Sequence, residues 1–222
     1  MTTLTQPDVS ALLDELFHDA ARADAPITAQ FRALDPAARN AMLADYKQTY
    51  GAARDAYLAV SREAGTLLYS LARARGARTI VEFGTSFGIS TIYLAAALRD
   101  GGGGRLITSE LEPSKAARAR ANLERAGLAD LVDVRTGDAL DTLADVPAGV
   151  DFLYLDGAKT LYRPVLDLVA PRLAERAVVV ADNIDMAELV APYTAYVRDP
   201  ANGFVSNRVV VGEGLEISVR VA

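Results

Sequence analysis

The chain has no cysteine among its 222 residues, which excludes disulfide staples and thiolate metal sites alike. Its single histidine, His18, falls in a helical stretch near the start and reads as structural or solvent-facing, so a zinc centre is not expected. No apolar run approaches the roughly 18 residues of a membrane span. Positive charge is also scarce. Lys and Arg number 23 against 29 Asp and Glu, and a net charge of −6 argues against nucleic acid as the main partner. The opening MTTLTQPDVS lacks a basic stretch followed by an apolar core, so no secretory signal is expected and the cytoplasm is the default location. What is present is 51% hydrophobic residues, enough for one large α/β domain around a single core.

The pattern along the chain changes twice. Met1 to about Asp8 reads as a loose arm. Val9 to Arg75 is helical, with breaks predicted near Pro26 and Pro36; Leu12, Leu13, Leu16 and Phe17 recur at helical spacing, as do Tyr46, Tyr50, Tyr57 and Leu58. Arg62 to Ala74 forms a further amphipathic helix with Gly76 as its stop. Strands then alternate with helices: Thr79–Phe83, Arg105–Glu110, Leu131–Thr136, Asp151–Leu155 and Arg176–Ala181, separated by Ser90–Arg99, Lys115–Ala126, Leu140–Leu143 and Tyr162–Leu173. Such alternation implies a parallel sheet covered on both faces. Phe204–Val211 and Leu215–Val221, joined around Gly212-Glu213-Gly214, read as a closing antiparallel hairpin.

Ligands of open α/β sheets sit at the carboxyl ends of the strands, so chemistry is sought there. The first strand runs into Val81-Glu82-Phe83-Gly84-Thr85-Ser86-Phe87-Gly88-Ile89-Ser90, where Gly84 and Gly88 let the backbone turn tightly and approach a ligand at the N-terminus of the next helix. A dinucleotide turn would be G-x-G-x-x-G. The spacing here is G-x-x-x-G, which favours a smaller nucleoside-like ligand, and Glu82 suits a cationic one. Glu110 ends the second strand, where a carboxylate can accept two ribose hydroxyls, and Asp138 after the third could accept from an adenine amino group; each could instead cap the helix that follows. Asp156 follows Phe152-Leu153-Tyr154-Leu155, and Asp182-Asn183 follow Val178-Val179-Val180-Ala181. If these two strand ends are adjacent, two carboxylates and an amide oxygen meet, a hard-donor set for Mg²⁺, Mn²⁺ or Ca²⁺. Lys159 lies three residues beyond Asp156 and could take a proton from a metal-acidified hydroxyl if its own pKa is depressed.

V-E-F-G-T-S-F-G-I-S, I-T-S-E-L-E-P, T-G-D-A-L, F-L-Y-L-D-G-A-K and V-V-V-A-D-N together resemble the cation-dependent class I O-methyltransferases, the family of catechol and caffeoyl-coenzyme A O-methyltransferases, from about Val60 to the C-terminus. The resemblance implies a Rossmann-like seven-stranded methyltransferase sheet, mostly parallel, with helices on both faces and an N-terminal helical segment. It divides the chain into residues 1–59, shaping the acceptor pocket and a homodimer contact, and residues 60–222, the methyltransferase unit. It implies S-adenosylmethionine (SAM) as methyl donor, bound by Glu82, Gly84, Thr85, Ser86, Gly88, Ser90, Glu110, Leu111, Asp138, Ala139 and Asp156, with Val60 at the edge. Asp156, Asp182 and Asn183 would match the metal ligands, Mg²⁺ first among candidates, and Lys159 the catalytic lysine, with Asp156 beside it. The acceptor would be a vicinally hydroxylated small molecule. Two departures stand out: Gly157, where the animal catechol enzymes carry a bulkier donor-contacting residue, and Asn207, where they use a glutamate to grip the second catechol hydroxyl. The rival readings are a SAM methyltransferase acting on a non-catechol hydroxyl of a secondary metabolite, an NAD-dependent oxidoreductase and a non-catalytic SAM-binding protein. The missing third glycine weighs against the oxidoreductase and the acid–lysine set against the binding protein, while the first stays open.

Overall fold

Five strands predicted from alternation, and both strands of the hairpin, assemble into one sheet in the computed structural model, which describes residues 2–221. Its order is β3-β2-β1-β4-β5-β7-β6, where β1 is Thr79–Phe83, β2 Arg105–Glu110, β3 Val132–Thr136, β4 Val150–Leu155, β5 Leu173–Ala181, β6 Phe204–Val209 and β7 Leu215–Arg220. The first five are parallel, and β7 joins β5 antiparallel. Val81, Ile107, Leu153 and Val179 are wholly buried, as expected of parallel strands covered on both faces. The chain order reverses between β1 and β4, and in open α/β sheets ligands bind outside the carboxyl ends of the strands at such a switch.

The helices are α1 (Pro7–Ala33), α2 (Pro36–Ala44), α3 (Tyr46–Ala52), α4 (Arg62–Arg75), α5 (Ile89–Asp100), α6 (Pro113–Arg125), α7 (Ala139–Thr142), α8 (Tyr162–Val169) and α9 (Ala187–Arg198). Gly76 ends α4 in the left-handed conformation, φ 67°, which a side chain rarely adopts. α1 buries Val9, Leu12, Leu13 and Leu16 in the same core as α4 and α5, each buried leucine contributing roughly 1.5–3 kcal/mol. His18, on the same helix, faces solvent.

Three N-terminal expectations need correction. Pro26 does not break α1, which continues to Ala33. The carbonyl that Pro26 leaves without an amide partner, that of Arg22, belongs to an exposed face where water can serve it. The arm is not loose either: the Thr3 amide and hydroxyl both bond the Asp100 carboxylate, the hydroxyl at 2.6 Å, and Tyr69 reaches the same carboxylate at 2.7 Å. Met1 of that arm lies outside the described residues. Tyr57 and Leu58 belong to no helix; they form a loop after α3 in which Leu58 takes φ 48°. One helix, α9, was not predicted at all. Among the described residues no helix is long and apolar enough to cross a membrane.

Candidate active site

A cleft opens over the carboxyl ends of β1 to β4. Val60, Gly84, Thr85, Ser86, Ser90, Glu110, Leu111, Asp138, Ala139 and Asp156 all line it, gathered from six separate segments. Glycine is required at its floor. A Cβ on Gly84, whose φ is 100°, would meet the Asp156 carbonyl oxygen at 2.6 Å, so the tips of β1 and β4 touch backbone to backbone. A Cβ on Gly157 would stand 2.3 Å from the Phe83 ring, so Phe83 fills the space a bulkier residue would take.

Two of the residues expected at the donor, Glu82 and Gly88, are not among the lining residues. Glu82 lies fully buried, its carboxylate taking hydroxyl protons from Ser90 (2.7 Å), Thr91 (2.6 Å) and Thr108 (2.7 Å). Burial raises its pKa, against the pull of those three donors. It fixes the first turn of α5, and with it Ser90 at the cleft. Glu110 does reach the cleft, and its two oxygens accept the amides of Ser86 (2.7 Å) and Glu112 (2.9 Å). Asp138 caps α7 through the Leu140 amide and turns its other oxygen to α3, accepting from the Tyr46 hydroxyl at 2.6 Å and pairing with Lys47 at 3.2 Å. Burial works to raise the Asp138 pKa, but these donors prevail and hold it below the ordinary value.

α3 was not foreseen as part of this site. Tyr46 and Tyr50, one turn apart, both line the cleft, and Tyr50 approaches the Gly157 carbonyl at 3.4 Å. Asn40 of α2 bonds Glu188 of α9. The α2–α3 segment therefore stretches across the strand tips while burying no residue of its own. The four-residue spacing of the tyrosines was the available signal. Lys115, which also lines the cleft, gave none in the sequence.

At the other end of the cleft, β4 and β5 pair Leu155 with Ala181 and so set Asp156 beside Asp182. The Tyr154 hydroxyl lies 3.1 Å from one oxygen of each. It has one proton to donate and two carboxylates to serve. Lys159 bonds the second oxygen of Asp156 at 2.9 Å and the Tyr162 hydroxyl at 2.8 Å, and Asp182 accepts the Asn183 amide N–H at 2.7 Å. Two buried acids thus face one ammonium. Burial pushes Asp156 up to about 7 and raises Asp182 as well. Lys159 departs from expectation: burial works to lower its pKa, but the field of Tyr162, Asp156, Tyr50 and Asp182 holds it well above the ordinary lysine value. Of this group only Asp156 lines the cleft.

The donor set suits a hard cation. Two acids face one ammonium, the shared tyrosine proton leaves one carboxylate oxygen without a donor, and the Asn183 side-chain amide has no hydrogen bond among the described residues. No cluster of three His, Cys, Asp or Glu side chains exists among the described residues, so Asn183 would be the third ligand. Asn207 is placed differently from expectation. It is exposed on β6, opposite Ile217, and does not line the cleft.

The raised Asp156 pKa has a pH consequence. Its folded value of about 7 lies above the ordinary 3.8, so ionisation destabilises the cation-free fold above pH 7, and this cost fades as pH falls toward 4. The melting temperature of Asp156→Asn minus that of the wild type, both in chelator, should therefore decline from pH 8 to pH 5. A flat difference would show that Asp156 titrates alike in the folded and unfolded chain.

A cleft at the topological switch of a 3-2-1-4-5-7-6 sheet, with acids at successive strand tips, defines a class I methyltransferase fold. A family profile described as a methyltransferase domain matches residues 81–184. The catechol O-methyltransferase of Mycobacterium tuberculosis is 44% identical over 129 residues, 57% of each chain, and that of Niastella koreensis 38% over 131 residues, 57% of this chain and 58% of that one. The chain matches a little over half the length of these curated relatives. The O-methyltransferase TomG from Streptomyces achromogenes, involved in tomaymycin synthesis and solved with SAM, superposes with a TM-score of 0.70 at 30% identity, covering 82% of this chain and 90% of that one. The Bacillus cereus O-methyltransferase, solved with S-adenosylhomocysteine (SAH), gives a TM-score of 0.67 at 30% identity over 81% and 90% of the two chains. The chain belongs to the class I SAM-dependent O-methyltransferases, the family that takes in the catechol and caffeoyl-coenzyme A enzymes.

Proposed function

We propose that this protein transfers the methyl group of SAM to one hydroxyl of a vicinally hydroxylated small molecule of catechol type, with a divalent cation, Mg²⁺ foremost, held by Asp156, Asp182 and Asn183. The observation that carries this reading is the pair of acids sharing one tyrosine proton at the end of a cleft lined by the strand-tip residues. SAM would lie along β1 to β4, its ribose at Glu110, its adenine near Asp138 and Ala139, and its amino-acid end toward Val60 and Ser90. Residues 1–59 supply Tyr46 and Tyr50 to the same cleft, which supports a role for that segment in shaping the acceptor pocket.

When bound, the cation supplies positive charge that offsets the two carboxylates and acidifies a hydroxyl beside it. Lys159 is kept protonated by the field of Tyr162, Asp156, Tyr50 and Asp182. With the carboxylates offset it would release that proton to solvent and, as the free amine, could then accept the acceptor's proton. The acceptor oxygen then forms a bond to the methyl carbon as the sulfonium carbon–sulfur bond breaks, leaving SAH. The rest of the cleft holds donor and acceptor in line, which accounts for much of the expected acceleration. The test is transfer of labelled methyl from SAM to a panel of vicinal diols and to matched mono-hydroxy compounds. Methylation confined to the diols is expected; SAM binding with no diol methylated would overturn the proposal.

A further inference from the structure

Lys115 is a charged side chain in the cleft that the mechanism leaves unused. It sits on α6, is 2% exposed, and lines the cleft between Glu110 and the Ser86 turn. Its only hydrogen bond among the described residues is to the Ser86 hydroxyl at 3.4 Å, and its ammonium rests 5.6 Å from the centre of the Phe87 ring. An ammonium carries three donors, so two are unspent in an enclosed place, where an unsatisfied charge is costly. Glu110 beside it is tied to the amides of Ser86 and Glu112, one on each oxygen, and each oxygen keeps a lone pair. Burial lowers the Lys115 pKa against the field of Glu110, Asp24, Glu112 and Asp55.

A ribose diol completes both inventories. Its two hydroxyls can donate to the remaining lone pairs of Glu110, and once they have done so their oxygens need donors. We propose that Lys115 is a donor-binding residue that, opposite Glu110, donates to the ribose oxygens of the adenosyl group, so that the diol is held from both sides. This rests on the reading of the cleft as a SAM site.

A purely structural lysine, balancing Glu110 and covering Phe87, would not distinguish ligands by their ribose hydroxyls. The test measures dissociation constants of SAH and of its 2′-deoxy and 3′-deoxy analogues with the wild type, Lys115→Met and Lys115→Gln. The wild type should lose about tenfold more affinity than either variant when a ribose hydroxyl is removed, and Lys115→Met should bind SAH about tenfold more weakly. Lys115→Arg, which keeps the charge, should recover part of the difference. The penalty for a missing hydroxyl is a ratio within one variant, so partial unfolding cancels. Equal penalties in wild type and variants overturn the proposal for Lys115 while leaving the donor site intact. A wild type that binds no SAH overturns the donor reading itself.

Discussion

Removing divalent cations with EDTA should slow methyl transfer to a vicinal diol on the order of a thousandfold, with recovery on adding Mg²⁺. The expectation comes from charge. Asp156 and Asp182 lie side by side, buried, with Lys159 as their only ammonium and one tyrosine proton between them. Without a cation the same acids hold Lys159 protonated, so acidification of the acceptor and its proton acceptor are lost together. SAH affinity should change no more than about twofold, because the cleft meets this group only at Asp156. Undiminished turnover in chelator would remove the metal from the mechanism.

Replacing Lys159 by Met should lower turnover by about 10² to 10⁴ with Mg²⁺ and both substrates saturating, while SAH affinity stays close to that of the wild type. The side chain spans Asp156 and the Tyr162 hydroxyl, and among the described residues no other amine is bonded to Asp156 or Asp182. The substitution also strips a buried acid of its ion-pair partner, so its melting temperature belongs beside its rate. A folded variant with normal turnover would reject Lys159 as the base. A fall in SAH affinity matching the fall in turnover would make the lysine a prop for the cleft.

The sheet was legible because its signals are local. Apolar runs such as Phe152-Leu153-Tyr154-Leu155, bounded by charged residues, mark strands buried on both faces, and the residues just past them are where ligands gather. Asp156 and Asp182 were brought together by strand adjacency, which sequence could suggest but not guarantee. What escaped depends on distant partners. Pro26 and Pro192 are strong local breakers, yet α9 passes through its proline because Val190, Tyr193 and Val197 are buried on both sides of it, and α1 passes through on an exposed face where water can serve the Arg22 carbonyl. Glu82 is placed by its motif at a strand tip; only the positions of Thr91 and Thr108 reveal that it is buried among three hydroxyl donors. The direction of the Lys159 shift depends on two tyrosines and a second acid that no spacing discloses.

The bond from Tyr46 to Asp138 ties a helix of the N-terminal segment to the tip of β3. Lys47 pairs with the same carboxylate at 3.2 Å and Tyr50 approaches the Gly157 carbonyl at 3.4 Å, so α3 bridges two strand tips beside the cleft. Both tyrosines also pack, partly buried, against the core beneath them, so lifting α3 would cost apolar contact as well as polar ties.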